Sequence, residues 1–187
     1  MRQKIIDIIK ESIDVKNKVI ERDVEAISEL ARAALSTLKS GNKILIFGNG
    51  GSAADSMHIA AELVGRFHRE RNALPAMALV DNASTITALS NDYSFDSVFE
   101  RQIEAFGKKG DMAIALSTSG KSKNVIRAAK KALDMGIKTA LLTGETGGDL
   151  AEIADIVIKV PSASTARIQE AHITIGHIIC ELIEDAL

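Results

Sequence analysis

Apolar positions recur with a helical period through the first forty residues. Ile5, Ile9 and Ile13 are followed by Ile20, Val24, Ile27, Ala31, Leu35 and Leu38, and the stretch holds no Gly or Pro. Three- and four-residue spacing predicts amphipathic helix, and Gly41 is its natural stop. One continuous helix would run about 57 Å, against a radius of gyration of about 16 Å for a domain of this length. The segment therefore either breaks, with Arg22-Asp23 the expected place, or projects and packs on another chain. Beyond Gly41 the pattern changes. Short apolar runs at 43–47, 76–80, 112–116, 139–142 and 156–160 alternate with helical stretches at 52–67, 83–90, 96–106, 122–135, 149–153 and 165–186. Strands alternating with helices predict a parallel sheet covered on both faces. Four runs lead into polar loops, at 48–52, 117–122, 143–148 and 161–165. Open parallel sheets bind ligands beyond the carboxyl ends of their strands, so these loops mark the expected site.

Composition narrows the class. The 187 residues are 46% hydrophobic and 26% charged, which supports one well-buried domain spanning 1–187 and excludes extensive disorder. A net charge of -2 gives no basic field for nucleic acid, and 3% aromatics without Trp leave little for stacking on bases. Cys180 stands alone, so neither an intrachain disulfide nor a cysteine zinc site can form. No apolar run approaches the roughly 20 residues of a bilayer span, and the charged N-terminus lacks an apolar leader segment. A cytoplasmic protein is expected, with neither a membrane nor a nucleic-acid partner.

The first polar loop, Gly48-Asn49-Gly50-Gly51-Ser52-Ala53, follows a strand and opens a helix. It matches the dinucleotide pattern G-x-G-x-x-A, but Asp81 lies too far on to serve as the ribose carboxylate. A tight turn, or a polar ligand lying against exposed amides, explains it better. The second loop, Ser117-Thr118-Ser119-Gly120-Lys121-Ser122, offers four hydroxyls at a strand-to-helix junction. That composition suits a phosphate monoester, and simple N-capping by Ser119 or Ser122 is the plainer alternative. Ala115 stands where a nucleotide P-loop needs its first glycine.

The helix after the first loop carries Asp55, His58, Glu62 and Arg66 as a polar stripe. His58 and Glu62, one turn apart, suit one metal or one substrate; a solvated helix face gives the same spacing. The last helix is apolar yet holds Gln169 and His177, some 12 Å apart along its axis. One small ligand cannot touch both from a single straight helix, so the site is expected to draw on more than one chain, with Glu62 and His177 on different subunits. Asn91-Asp92 reads as a loop suited to sugar hydroxyls, and equally as a turn.

GNGGSAADSMHIAAELVGRF at 48–67, ALSNDY at 88–93, ALSTSGKSKNV at 115–125 and ARIQEAHITIGHIICELIE at 166–184 resemble the phosphoheptose isomerases of the sugar-isomerase (SIS) domain family. The four motifs occur in order and the resemblance covers nearly the whole chain. It implies a three-layer αβα sandwich with a five-stranded parallel sheet and an N-terminal helical extension over 1–40 that serves oligomerisation. It also implies a homotetramer with interfacial sites, one zinc ion per subunit, and conversion of sedoheptulose 7-phosphate to D-glycero-D-manno-heptose 7-phosphate. That reaction opens heptose biosynthesis for lipopolysaccharide or capsule. The implied sugar contacts are Asn49, Gly50, Gly51, Glu62, Asn91, Asp92 and Gln169. The phosphate contacts are Ser117, Thr118, Ser119 and Ser122. The implied metal ligands are His58, Glu62, Gln169 and His177, with Glu62 and His177 as the acid–base pair. The alternative is a non-catalytic relative that binds a sugar phosphate or a replication initiator. Such relatives lack the acidic residue and the histidine found here at 62 and 177.

Overall fold

Residue 23 divides the long N-terminal helix. The structure, a computed structural model, describes residues 1–187. Helix α1 (Arg2–Arg22) ends at Asp23, whose N–H still bonds the carbonyl of Val19, and α2 (Val24–Lys39) restarts at once. Asp23 is itself buried, which raises its carboxyl pKa against the pull of Arg22 and the Lys159 backbone. The expected break is therefore present, yet α1 still carries Ile5, Ile9 and Ile13 as an exposed apolar row.

The rest alternates as the pattern predicts: β1 (Ile44–Gly48), α3 (Gly51–Val64), β2 (Ala76–Ala78), α4 (Ala83–Asp92), α5 (Val98–Phe106), β3 (Met112–Ser117), α6 (Lys123–Asp134), β4 (Lys138–Gly144), β5 (Ile156–Val160) and α7 (Thr165–Asp185). The stretch at 149–153, expected to be a helix, forms only a 3₁₀ turn over Asp149–Glu152. Its bonds are of the tighter kind, from the Ala151 N–H to the Gly148 carbonyl and from the Ile153 N–H to that of Leu150, while the Leu150 N–H is drawn off to the carbonyl of Gly120. All strands are parallel, in the order β2-β1-β3-β4-β5.

Side-chain alternation along the buried strands builds two cores. Ile44 and Ile46 of β1 and Met112, Ile114 and Leu116 of β3 face α1, α2, α3 and α7. Leu45, Phe47, Ala113 and Ala115 face α5 and α6, where the ring of Phe47 packs 5.5 Å from that of Phe99. Strands buried on both faces read as unbroken apolar runs, which is why they stand out in the sequence. The result is a three-layer αβα sandwich.

His172 on α7 is fully buried, with Nε2 3.2 Å from the Thr143 carbonyl and no partner for Nδ1. Burial pushes its pKa down to about 4, although the carbonyl pulls the other way. A histidine held below its ordinary 6.5 contributes stability that is complete above that pH. The contribution is lost as pH falls through the window to about 4, an effect of about 3 kcal/mol in all. Asp55, raised to about 6 by burial, works in the opposite sense over its own window, so the effect is read from a variant. Urea midpoints of His172→Gln should fall less than wild type between roughly pH 7.5 and pH 5. Equal slopes would remove His172 from the acid response.

Candidate active site

Two of the polar loops meet at the carboxyl ends of β1 and β3. The loop after β3 folds back on itself. The Ser117 hydroxyl accepts from the Gly120 N–H at 3.2 Å and lies 3.4 Å from the Ser122 hydroxyl, while Ser119 accepts from the Lys121 N–H. Gly120 sits at φ +64°, and a Cβ there would stand 1.8 Å from the Gly147 carbonyl, so only glycine fits this turn. Ser122 occupies the N-cap of α6 without a capping hydrogen bond from its side chain. Its hydroxyl is thus not consumed by the simple capping role.

A reciprocal amide pair braces the first loop to the second. Asn49 donates to Asn124 Oδ1 and Asn124 donates back to Asn49 Oδ1, each at 2.9 Å, and Asn124 Oδ1 also accepts from the Val125 N–H. Asn49, expected to touch sugar, has its side chain engaged in this brace. Asn124 is buried and gave no sequence signal, because nothing in a helix N-terminal asparagine reveals a partner 75 residues away. Asn49, Gly50, Gly51, Ser117, Thr118, Ser122 and Gln169 line one cleft of about 310 Å³, joined by the unforeseen Ser52, Leu116 and Thr165. Ser119 lines an adjoining cleft that shares Thr118 and Thr165.

Helices α3 and α7 cross where Gly176 meets Ile59; a Cβ on Gly176 would stand 2.6 Å from Ile59. This close approach brings His58, Glu62 and His177 together. His58 Nε2 lies 3.2 Å from Glu62 Oε1 and 3.4 Å from His177 Nε2, with the imidazoles edge to face. One donor atom from each residue falls within 4.8 Å of the others, a group that could hold a metal ion. The spacing is informative. Two nitrogens bound to a tetrahedral ion at about 2.05 Å stand roughly 3.3 Å apart, whereas a good N–H···N bond is shorter than 3.4 Å. Asp55, one turn earlier on α3, has its pKa raised to about 6 by burial, moderated by His58, and one of its oxygens lacks a partner.

Glu62 and His177 thus lie in one chain, which corrects the expectation that different subunits supply them. The axial distance along α7 separates Gln169 from His177, not His177 from α3. Gln169 indeed sits apart: its amide lies 2.5 Å from where a Gly51 Cβ would be, at the opposite end of α3 from Glu62. Asn91 and Asp92 occupy the last turn of α4 rather than a loop. They are exposed, hydrogen-bonded to each other at 2.9 Å, and do not line the cleft.

The profile of the SIS domain family matches residues 8–144. The chain is 53% identical to the phosphoheptose isomerase of Aquifex aeolicus, covering 99% of this chain and 97% of that one. It is 50% identical to the phosphoheptose isomerase of Roseiflexus sp., covering 98% and 93%. The solved phosphoheptose isomerases of Neisseria gonorrhoeae and Francisella tularensis superpose with TM-scores of 0.93 and 0.95. They do so at 40% and 37% identity, over 98% of this chain and 98% and 97% of theirs. With likeness at that level running from end to end, and with the loop, cleft and His–Glu–His group all in place, the chain belongs to the phosphoheptose isomerases of the SIS domain family.

Proposed function

We propose that the protein isomerises sedoheptulose 7-phosphate to D-glycero-D-manno-heptose 7-phosphate, feeding heptose biosynthesis for lipopolysaccharide or capsule in the cytoplasm. The His58–Glu62–His177 group together with a hydroxyl-rich cleft, in a chain so close to phosphoheptose isomerases, carries this reading. Ser117, Thr118 and Ser122 in the cleft, Ser119 at the adjoining one, and the first amides of α6 hold the phosphate. Gly50 and Gly51 let the sugar lie close to backbone, and Asn91 and Asp92 bind hydroxyls from a neighbouring copy or after movement of α4.

Aldose–ketose interchange removes a proton from C1 of the ketose and returns one to C2 through an enediolate. The Glu62 carboxylate takes the C1 proton and delivers it to C2. The His177 imidazole moves a proton between the two oxygens, a role suited to a ring that can both donate and accept a hydrogen bond. Zinc, held by His58, Glu62 and His177 with Gln169 of another copy as fourth ligand, would polarise the carbonyl. No single chain can supply all four ligands, given where Gln169 lies.

The same requirement supports a homotetramer in which the single SIS domain of 1–187 uses residues 1–40 for assembly. The exposed Ile5, Ile9 and Ile13 of α1, Met57 and Val64 of α3, and Ile178 and Leu182 of α7 are apolar surface suited to burial between copies. No helix is long and apolar enough to cross a membrane, and the near-neutral charge supports no nucleic-acid partner. NMR of sedoheptulose 7-phosphate in D₂O with pure protein tests the reading. Aldose signals and deuterium at the C1/C2 positions are expected; binding with an unchanged spectrum would instead make the protein a sugar-phosphate sensor.

A further inference from the structure

A buried ionic network lies behind the His–Glu–His group and has no part in the chemistry just described. Arg71, in the connection from α3 to β2, reaches back under the end of α3. Its Nη2 donates to the carbonyl of Glu62 at 2.7 Å, and its Nη1 donates to those of Leu63 at 2.9 Å and Gly65 at 3.2 Å. These carbonyls belong to the end of α3, where helical partners run out. On its other side, Arg71 Nε lies 3.4 Å from Oε1 of Glu184 on α7. The Glu184 carboxylate also accepts the N–H groups of His68 at 2.7 Å and Arg69 at 3.0 Å. One guanidinium therefore joins the helix that carries His58 and Glu62 to the helix that carries His177, and it does so through the backbone of Glu62 itself.

Placement argues for a role beyond stability. The side chains of Arg71 and Glu184 are only 10% and 3% exposed. A buried ion pair is poor value for stability, since apolar residues of like volume often serve as well. What the pair supplies is fixed geometry: a planar fork that cannot be redirected without breaking several bonds together. Glu184 lies seven residues after His177, two turns along the same face of α7, so the lock acts in register with the donor group. Resting on the isomerase reading above, we infer that Arg71, anchored by Glu184, is the positioning residue that holds Glu62 and His58 at working distance from His177.

The test compares wild type with Arg71→Met, Arg71→Lys and Glu184→Gln. Zinc alone is titrated against a chelator of known affinity, kcat and KM are measured at saturating zinc, and melting temperature is recorded separately. Loss of a residue that orients metal ligands lowers metal affinity or turnover by about 10- to 100-fold. Arg71→Met should show losses of that size in zinc affinity and kcat. KM for sedoheptulose 7-phosphate should stay within about threefold, because the phosphate loop lies at the far end of α3. Arg71→Lys keeps the charge without the fork and should recover little of either. Should Arg71→Met fail to fold, the volume-conserving Glu184→Gln carries the test, with losses in the same direction. Wild-type zinc affinity and kcat in the folded variants, with or without a lower melting temperature, would overturn the inference. Wild-type protein with neither zinc nor turnover would overturn the isomerase reading, and this inference with it.

Discussion

Glu62→Gln should lower kcat by about 10²- to 10⁴-fold, the usual worth of a positioned general base. The amide keeps the shape of the side chain and can still reach His58, but it cannot accept a proton from carbon. Substrate affinity should change far less, because Glu62 lies at the opposite end of α3 from the cleft lined by Ser117, Thr118 and Ser122. Two measurements separate loss of the base from loss of a ligand. Turnover at saturating zinc removes the contribution of weaker metal binding. Exchange of the C1 proton in D₂O reports proton abstraction without requiring product release. A base variant loses both, whereas a variant impaired only in zinc binding recovers both when zinc is raised. Full recovery by zinc would assign Glu62 to metal binding alone and leave His177 as the acid–base group.

The sheet was legible because its strands are buried on both faces: Ile44 to Phe47 and Met112 to Leu116 read as apolar runs between polar loops. The break at Asp23 followed from a length argument. The two loops were legible because glycine and hydroxyl residues collect where strands hand over to helices. What the sequence could not supply were contacts between distant segments. The Asn49–Asn124 brace, the Arg71–Glu184 pair and the Gly176–Ile59 approach each join residues 75 or more apart. Helical periodicity places a residue on a face but does not say which helix that face meets. For the same reason the spacing of Gln169 and His177 showed only that the two lie apart on one helix, and the expectation that Glu62 and His177 come from different chains was wrong. Asn91-Asp92 misled because a polar pair at the end of a helix has the composition of a loop.

If Gln169 of one copy completes the donor group of another, the cleft next to that Gln169 comes with it, and each active site takes its phosphate loop and its His–Glu–His group from different chains. Chains carrying Glu62→Gln and chains carrying Ser119→Ala with Ser122→Ala would each assemble inactive or nearly inactive sites. Mixed before assembly in equal amounts, they should regain about one quarter of wild-type activity, because random pairing gives that share of sites an intact loop and an intact donor group. By contrast, Glu62→Gln mixed with His177→Gln should regain nothing, since both residues belong to the same group in one chain. The pair of mixtures is diagnostic because both contain identical numbers of damaged chains and differ only in where the damage lies. No gain in the first mixture, with mixed tetramers verified by sizing and mass spectrometry, would place the whole site within a single chain. The substrate would then span from the loop to Glu62 along α3, and Gln169 would have no part in holding zinc.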